Sequence, residues 1–130
     1  MQDLTDYEDV VGEVRDHLRA RTQAAVDAGI DPDRLALDPG LGFAKTFAQN
    51  LVLMRHADAF LQLGRPVVVG PSRKSFIGKL LGDVPVDERL EGTAGAVAWL
   101  VALGVHVLRV HDVGEMVRVI RVVEGIRSAT

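Results

Sequence analysis

Three short apolar runs, each lying between segments with helical spacing, constrain the fold of this chain more than any other feature. They are "LALD" at 35–38, "RPVVVG" at 65–70 and "VHVLRV" at 105–110. The second run is β-branched and unbroken, as expected for a strand buried on both faces. Strands joined by helices run parallel, through right-handed crossovers. The sequence therefore predicts an α/β chain with the order α-β-α-β-α-β-α.

The helices are predicted from the spacing of apolar residues and from the residues that end each segment. Glycines follow three of the patterns, at 29, 64 and 104, and glycine is common just beyond a helix end. Thr46 is a candidate cap for the second helix. The predicted helices cover 8–28, 46–63, 73–81, 86–103 and 112–129.

An open sheet of three parallel strands leaves two bare edges, which soluble proteins avoid. Parallel sheets need helices on both faces or closure into a barrel. A (β/α)₈ barrel needs roughly 250 residues, so 130 residues amount to about half of one. We therefore expect residues 1–130 to form one partial domain, a portion of a (β/α)₈ barrel with about three strands and flanking helices.

Composition excludes several classes of function. Hydrophobic residues make up 48% of the chain and charged residues 25%, and the net charge of −3 argues against a nucleic-acid-binding surface. No cysteine is present, so disulfides and thiolate chemistry are excluded. The polar, acidic start does not resemble a secretion signal, and no apolar run reaches the roughly 18 residues of a membrane span. We expect a cytoplasmic protein.

The residues with chemical potential follow the apolar runs, at the end where parallel α/β folds bind their ligands. Arg109 and His111 are two residues apart on the third run, so their side chains share a face with Val105 and Val107. Such a face is apolar at its base and cationic at its mouth, which suits an anion. The candidates are Asp38 after the first run, Ser72, Arg73 and Lys74 after the second, and Arg109 and His111 on the third.

Structural alternatives apply to several of these residues. Ser72 is equally consistent with a helix N-cap, and a helix N-terminus also attracts anions. Asp38 is also consistent with a buried ion pair. His106 has the opposite parity to His111 and is expected to face the helices, and Trp99 is expected in the core. Arg89 is a further candidate at the rim of the site.

Three segments resemble dihydropteroate synthases in order and spacing. They are "LDPGLGFAKTFAQN", "VVVGPSRKSFIGKLLG" and "ERLEGTAGAVAWLVALGVHVLRVHDV", and "GLGFAKT" resembles the actinobacterial members. The resemblance implies the C-terminal part of a pterin-binding (β/α)₈ barrel. The family, which sulfonamides target, joins 6-hydroxymethyl-7,8-dihydropterin diphosphate to 4-aminobenzoate in folate synthesis and releases pyrophosphate. It also implies Mg²⁺ with the diphosphate, and a homodimer for the complete enzyme.

The resemblance assigns a role to each matching position. Lys74, Arg109 and His111 are the implied catalytic residues, and Arg109 and His111 would bind the diphosphate. No metal ligand is implied in this chain, because the Mg²⁺ ligand is expected in the family's preceding strands. The implied pterin contacts are Asp38, Gly42, Lys74 and Arg109, and the implied aminobenzoate contacts are Phe43, Ser72 and Arg73.

Two other functions remain open at this point. One is a piece of a methyltetrahydrofolate-type pterin-binding methyltransferase. The other is a non-catalytic truncated paralogue that binds ligand or self-associates through its bare strand edges. Because the family's first five strands have no counterpart here, we expect the chain alone to be inactive or very weakly active.

Overall fold

The computed structural model describes residues 6–130, which form five α-helices and a small parallel sheet. The predicted α/β class is therefore confirmed, with helices dominating. No helix in this part of the chain has both the length and the apolar composition to cross a membrane. The elements are α1 (Val10–Asp27), α2 (Phe47–Arg55), β1 (Val68–Val69), α3 (Ser75–Leu80), α4 (Leu90–Leu103), β2 (Val107–Leu108) and α5 (Val113–Arg127).

The sheet joins the three apolar runs in the order of the sequence. β1 and β2 are parallel, with Val68 opposite Val107. The first run contributes only a parallel bridge from Leu37 to Val67, so the predicted first strand is shorter than expected. Pro39 explains this, because it lacks the N–H that a longer ladder would require.

Two predicted helices are interrupted. The helix predicted for 46–63 ends at Arg55, and a 3₁₀ helix, Ala57–Leu63, continues to Gly64. Three residues per turn place Ala57 and Phe60 on one side, and both are buried. The segment predicted as helix over 86–103 likewise begins with a 3₁₀ turn, Val86–Glu88, before α4.

The core has two parts that meet on α4. The larger part packs α1, α2, α3 and the sheet around Phe60 and Leu100, and the smaller part packs Val97 and Val101 of α4 against Met116 of α5. The prediction that Trp99 lies in the core is wrong. Trp99 is 46% exposed on a third side of α4, where its Nε1 donates to the Met54 carbonyl at 2.7 Å.

Candidate functional site

Three loops converge at the carboxyl edge of the sheet. They follow Leu37, β1 and β2, and two hydrogen bonds between side chains and neighbouring loops tie them together. Lys74 Nζ donates to the Leu41 carbonyl at 2.9 Å, and the Ser72 hydroxyl lies 2.7 Å from His111 Nδ1. Residues 33 and 39 positions apart in sequence are therefore brought into contact. The predicted meeting of the strand ends is confirmed.

Two side chains that the sequence analysis did not select hydrogen-bond to the backbone of the first loop. Lys45 Nζ donates to the carbonyls of Gly40 at 2.9 Å and Phe43 at 2.8 Å. Asn50, which is 4% exposed on α2, accepts a hydrogen bond from Gly42 N at 2.8 Å. A buried asparagine needs such a partner, but nothing in the sequence indicates which backbone group it binds.

Lys74 lies directly against this loop. Its Nζ is 4.2 Å from the centroid of the Phe43 ring, within the range of a cation–π contact. A Cβ on Gly42 would lie 2.9 Å from Lys74 Cδ, and Gly42 has a φ of +85°. Glycine is therefore favoured at this position, because of both the nearby Lys74 side chain and the backbone conformation. Gly42, Phe43 and Lys74 are therefore packed closely together.

Asp38 lies in the field of the neighbouring cations. Burial lowers the pKa of Lys74, while Asp38 raises it and Arg109 lowers it further. Burial also lowers the pKa of Lys45, again opposed by Asp38 and reinforced by Lys74. Asp38 itself is exposed and its Oδ1 accepts a hydrogen bond from Gly40 N at 2.8 Å, so the alternative of a buried ion pair is wrong.

Arg109 and His111 line a pocket of about 220 Å³ with Ser72, Lys74, Gly70 and Val110. Both are exposed, and Val107 on β2 is 47% exposed. Val105, at the apolar base of the face predicted from the two-residue spacing, lies before β2 and is buried in the larger core. The pocket is cationic, because the described residues that line it include Lys74 and Arg109 but no carboxylate.

Ser72 is not the cap of the short helix. α3 begins at Ser75, and Lys74 occupies the N-cap position without a side-chain cap. Ser72 is 6% exposed, and its hydroxyl accepts a hydrogen bond from the backbone N of His111 at 3.1 Å. Ser75 is the exposed serine at the start of α3.

The side chain of Arg73 has different partners from that of Lys74. Its φ is +58°, and its Nη2 donates to Asp112 Oδ1 at 3.0 Å. Its backbone N donates to Thr93 Oγ1 at 3.1 Å, and its carbonyl accepts from Arg89 Nη1 at 2.8 Å. Arg89 also donates to the Val84 carbonyl. Arg89 therefore supports the loop from beneath, and Arg73 lines a separate pocket of about 460 Å³.

The remaining histidines have different surroundings. His17 is exposed on α1 and lines a pocket of about 490 Å³ with Asp38, Gly40, Phe43 and Lys45. His56 is exposed at the C-terminal end of α2. His106 is exposed at the opposite end of β2, where its Nδ1 accepts from Val67 N at 3.0 Å, so the expectation that it faces the helices is wrong. Among residues 6–130 no group of three or more His, Asp or Glu side chains could hold a metal ion.

Comparisons with known proteins agree on one family. A sequence model of the family described as "Pterin binding enzyme" matches residues 1–111. The chain is 44% identical over 126 residues to the dihydropteroate synthase of Synechocystis sp., covering 97% of this chain and 44% of that protein. It is 40% identical to that of Escherichia coli, covering 99% of this chain and 45% of that one.

Solved structures give the same result. A dihydropteroate synthase from Thermus thermophilus, in complex with 4-aminobenzoate, superposes with a TM-score of 0.89 at 41% identity, covering 95% of this chain and 50% of that one. That of Xanthomonas albilineans, with 4-aminobenzoic acid, superposes with a TM-score of 0.94 at 40% identity, covering 98% and 47%. The chain spans about half the length of these relatives. This chain therefore belongs to the pterin-binding enzyme family, and the relatives it resembles are dihydropteroate synthases.

Proposed function

We propose that this chain supplies the C-terminal part of a dihydropteroate synthase, as a portion of a (β/α)₈ barrel that carries about half of the active site. The reaction would join 6-hydroxymethyl-7,8-dihydropterin diphosphate to 4-aminobenzoate and release pyrophosphate. The observation that carries the proposal is the convergence of Asp38, Lys74, Arg109 and His111 at one edge of the sheet. The Asp38 carboxylate suits the N–H edge of a ligand, and the three neighbouring groups, Lys74, Arg109 and His111, suit an anionic group on the same ligand.

The pterin ring would lie between Asp38 and Lys74. Asp38 is exposed and could accept two hydrogen bonds from the amino and ring N–H edge of a pterin, which is a strong charge-assisted arrangement. Lys74 Nζ now donates to the Leu41 carbonyl and would also reach a pterin carbonyl or ring nitrogen. Because Gly42 has no Cβ, the Lys74 side chain can lie against this loop, beside the proposed ring position. Arg109 would stack on the ring through its planar guanidinium.

The diphosphate would bind in the pocket that Arg109 and His111 line. As the bond between the pterin methylene and the diphosphate breaks, negative charge grows on the leaving group. Fixed donors that stabilise this charge lower the activation barrier. No general base is needed, because a neutral arylamine is already nucleophilic. Lys74, Arg109 and His111 are the proposed catalytic residues on this ground.

The residues proposed to contact aminobenzoate differ in how free they are to do so. Phe43 is 52% exposed beside Lys74 and remains the proposed wall of the aminobenzoate pocket. The hydroxyl of Ser72 already binds His111, and the guanidinium of Arg73 already binds Asp112, so either would have to exchange a partner to meet the carboxylate. Ser75, exposed at the start of α3, is better placed for that contact than Ser72.

Three further features of the proposal concern the complete enzyme. Mg²⁺ would assist by binding the diphosphate, and the family resemblance implies that its protein ligand lies in the preceding part of the barrel. A homodimer and a cytoplasmic location remain predictions.

The test compares the chain alone with the chain joined to the preceding half of a related dihydropteroate synthase. Dihydropteroate formation should require both halves, and robust turnover by the 130 residues alone would contradict a half-built site. In the joined protein, Lys74→Met should lower kcat/KM by about 10²-fold or more. Lys79→Met is the matched control, because Lys79 lies on α3, the helix that Lys74 precedes, with its Nζ over the Phe47 ring, and its loss should leave turnover unchanged.

A further inference from the structure

The Ser72 hydroxyl makes two contacts with the same residue. It accepts a hydrogen bond from the backbone N of His111 at 3.1 Å and lies 2.7 Å from the ring Nδ1 of His111. Ser72 is 6% exposed, so water has little access to compete for these bonds. The buried Ser72 hydroxyl therefore holds the backbone and the ring of His111 in a fixed relative position.

The chemistry of the donors limits where the hydrogens lie. A backbone N–H can only donate, so the Ser72 oxygen is its acceptor. The oxygen keeps a second lone pair and one hydrogen of its own, so at 2.7 Å it either accepts from Nδ1–H or donates to an unprotonated Nδ1, according to the histidine tautomer. In the second arrangement the hydroxyl uses its donor as well as its acceptor capacity on His111, Nδ1 is an acceptor, and the ring proton is on Nε2. Nε2 lies on the opposite edge of the ring, away from the buried hydroxyl.

We propose that Ser72 is a positioning residue that fixes the orientation and tautomer of His111, so that Nε2–H is presented as a donor to an anion in the pocket beside Arg109. The identity of that anion as the substrate diphosphate rests on the function proposed above. Ser72 therefore acts through His111, and the aminobenzoate contact that the family resemblance implied for Ser72 is replaced by this role. Without the hydroxyl, the neutral ring would exchange between tautomers, and the tautomer protonated on Nδ1 would present the Nε2 lone pair to the anion.

The chain contains its own reference for this measurement. His106 Nδ1 accepts from the backbone N of Val67 at 3.0 Å, so His106 is also held with its proton on Nε2, by a contact that does not involve Ser72. Two of the four histidines should therefore show the same fixed tautomer for independent reasons.

The experiment is a long-range ¹H–¹⁵N correlation spectrum of the ¹⁵N-labelled chain at about pH 8, above the reference histidine pKa of about 6.5. In the wild-type chain, both His106 and His111 should show an acceptor-type Nδ1 and a protonated Nε2. In Ser72→Ala the two nitrogens of His111 should move toward a common averaged shift, and His106 should not change. Ser72→Thr, which keeps the hydroxyl, should restore the wild-type pattern of His111.

Two results would overturn the inference. One is a wild-type His111 that carries its proton on Nδ1 or averages between tautomers, which needs no variant to be folded. The other is a Ser72→Ala chain with unchanged His106 signals in which His111 keeps the wild-type pattern. Titration with inorganic pyrophosphate separates this inference from the proposed function. We expect about tenfold weaker binding in Ser72→Ala, whereas a wild-type chain with a fixed His111 that binds no pyrophosphate would count against the proposed ligand and leave the tautomer assignment standing.

Discussion

Replacing Thr93 by valine should show how much of the loop geometry depends on one buried hydroxyl. Thr93 is 0% exposed on α4, and its Oγ1 accepts the backbone N–H of Arg73 at 3.1 Å. Arg73 has a φ of +58°, a left-handed conformation that costs a non-glycine residue about 1–2 kcal/mol. Thr93 and the Arg89 guanidinium hold the two sides of this strained peptide.

The expected loss follows from the burial of the hydroxyl. Valine has the shape of threonine and keeps its packing, so the change removes the acceptor and little else. A buried donor left without a partner costs about 1–3 kcal/mol. Water cannot replace an oxygen that is fully enclosed, but the added methyl regains up to about 0.8 kcal/mol. We therefore expect Thr93→Val to lower the free energy of unfolding by about 1–2 kcal/mol.

Urea unfolding followed by circular dichroism measures this directly. With an m-value of about 2 kcal/mol/M, the midpoint should fall by about 0.5–1 M. Thr22→Val is the matched control, because the Thr22 hydroxyl only donates back to the Leu18 carbonyl within α1, and its loss should change stability by less than about 0.5 kcal/mol. Equal midpoints for Thr93→Val and Thr22→Val would refute the reasoning.

Two further predictions concern the cations and the glycine beside them. Burial lowers the pKa of Lys45 and Lys74 below 10.5, so between the lowered values and 10.5 the unfolded chain binds more protons and the free energy of unfolding should rise with pH. Urea midpoints should rise from about pH 8 to pH 10.5. This rise should be smaller in the double variant Lys45→Met/Lys74→Met and unchanged in Lys79→Met. An unchanged rise in the double variant would contradict the burial argument. Gly42→Ala should destabilise the chain by more than Gly29→Ala, because both have positive φ but only the Cβ at position 42 meets an atom, Lys74 Cδ at 2.9 Å. Both should incur about 1 kcal/mol or more of backbone strain in urea unfolding, and equal losses would show that Lys74 moves aside without cost.

The parts of the site that follow from topology were predictable. Parallel strands end at the same edge, so residues placed after each run had to meet there, and Lys74, Arg109 and His111 do. This inference needs only the order of elements, and it holds even though the first run forms a single bridge at Leu37.

The supporting contacts were not predictable, because they join side chains to backbone groups of other loops. Nothing local in the sequence links Asn50 to Gly42 N or Thr93 to Arg73 N. Ser72 fitted an N-cap, but the helix begins three residues later and the hydroxyl serves His111 instead. The prediction that Trp99 is buried was wrong for a related reason. The helix α4 is apolar on more than two sides, and the described core covers only two of them.

The central claim is that Asp38 binds the hydrogen-bonding edge of a pterin. The most direct measurement is the affinity of 6-hydroxymethyl-7,8-dihydropterin diphosphate by calorimetry, in the chain joined to the preceding half-barrel. Asp38→Asn keeps the shape but loses the charge that two N–H donors require, and hydrogen bonds to charged groups contribute about 1.5–3 kcal/mol. The affinity should fall by about 10- to 100-fold, whereas Asp58→Asn, at an exposed carboxylate on the 3₁₀ helix, should change nothing. Equal affinities for wild type and Asp38→Asn would contradict the account.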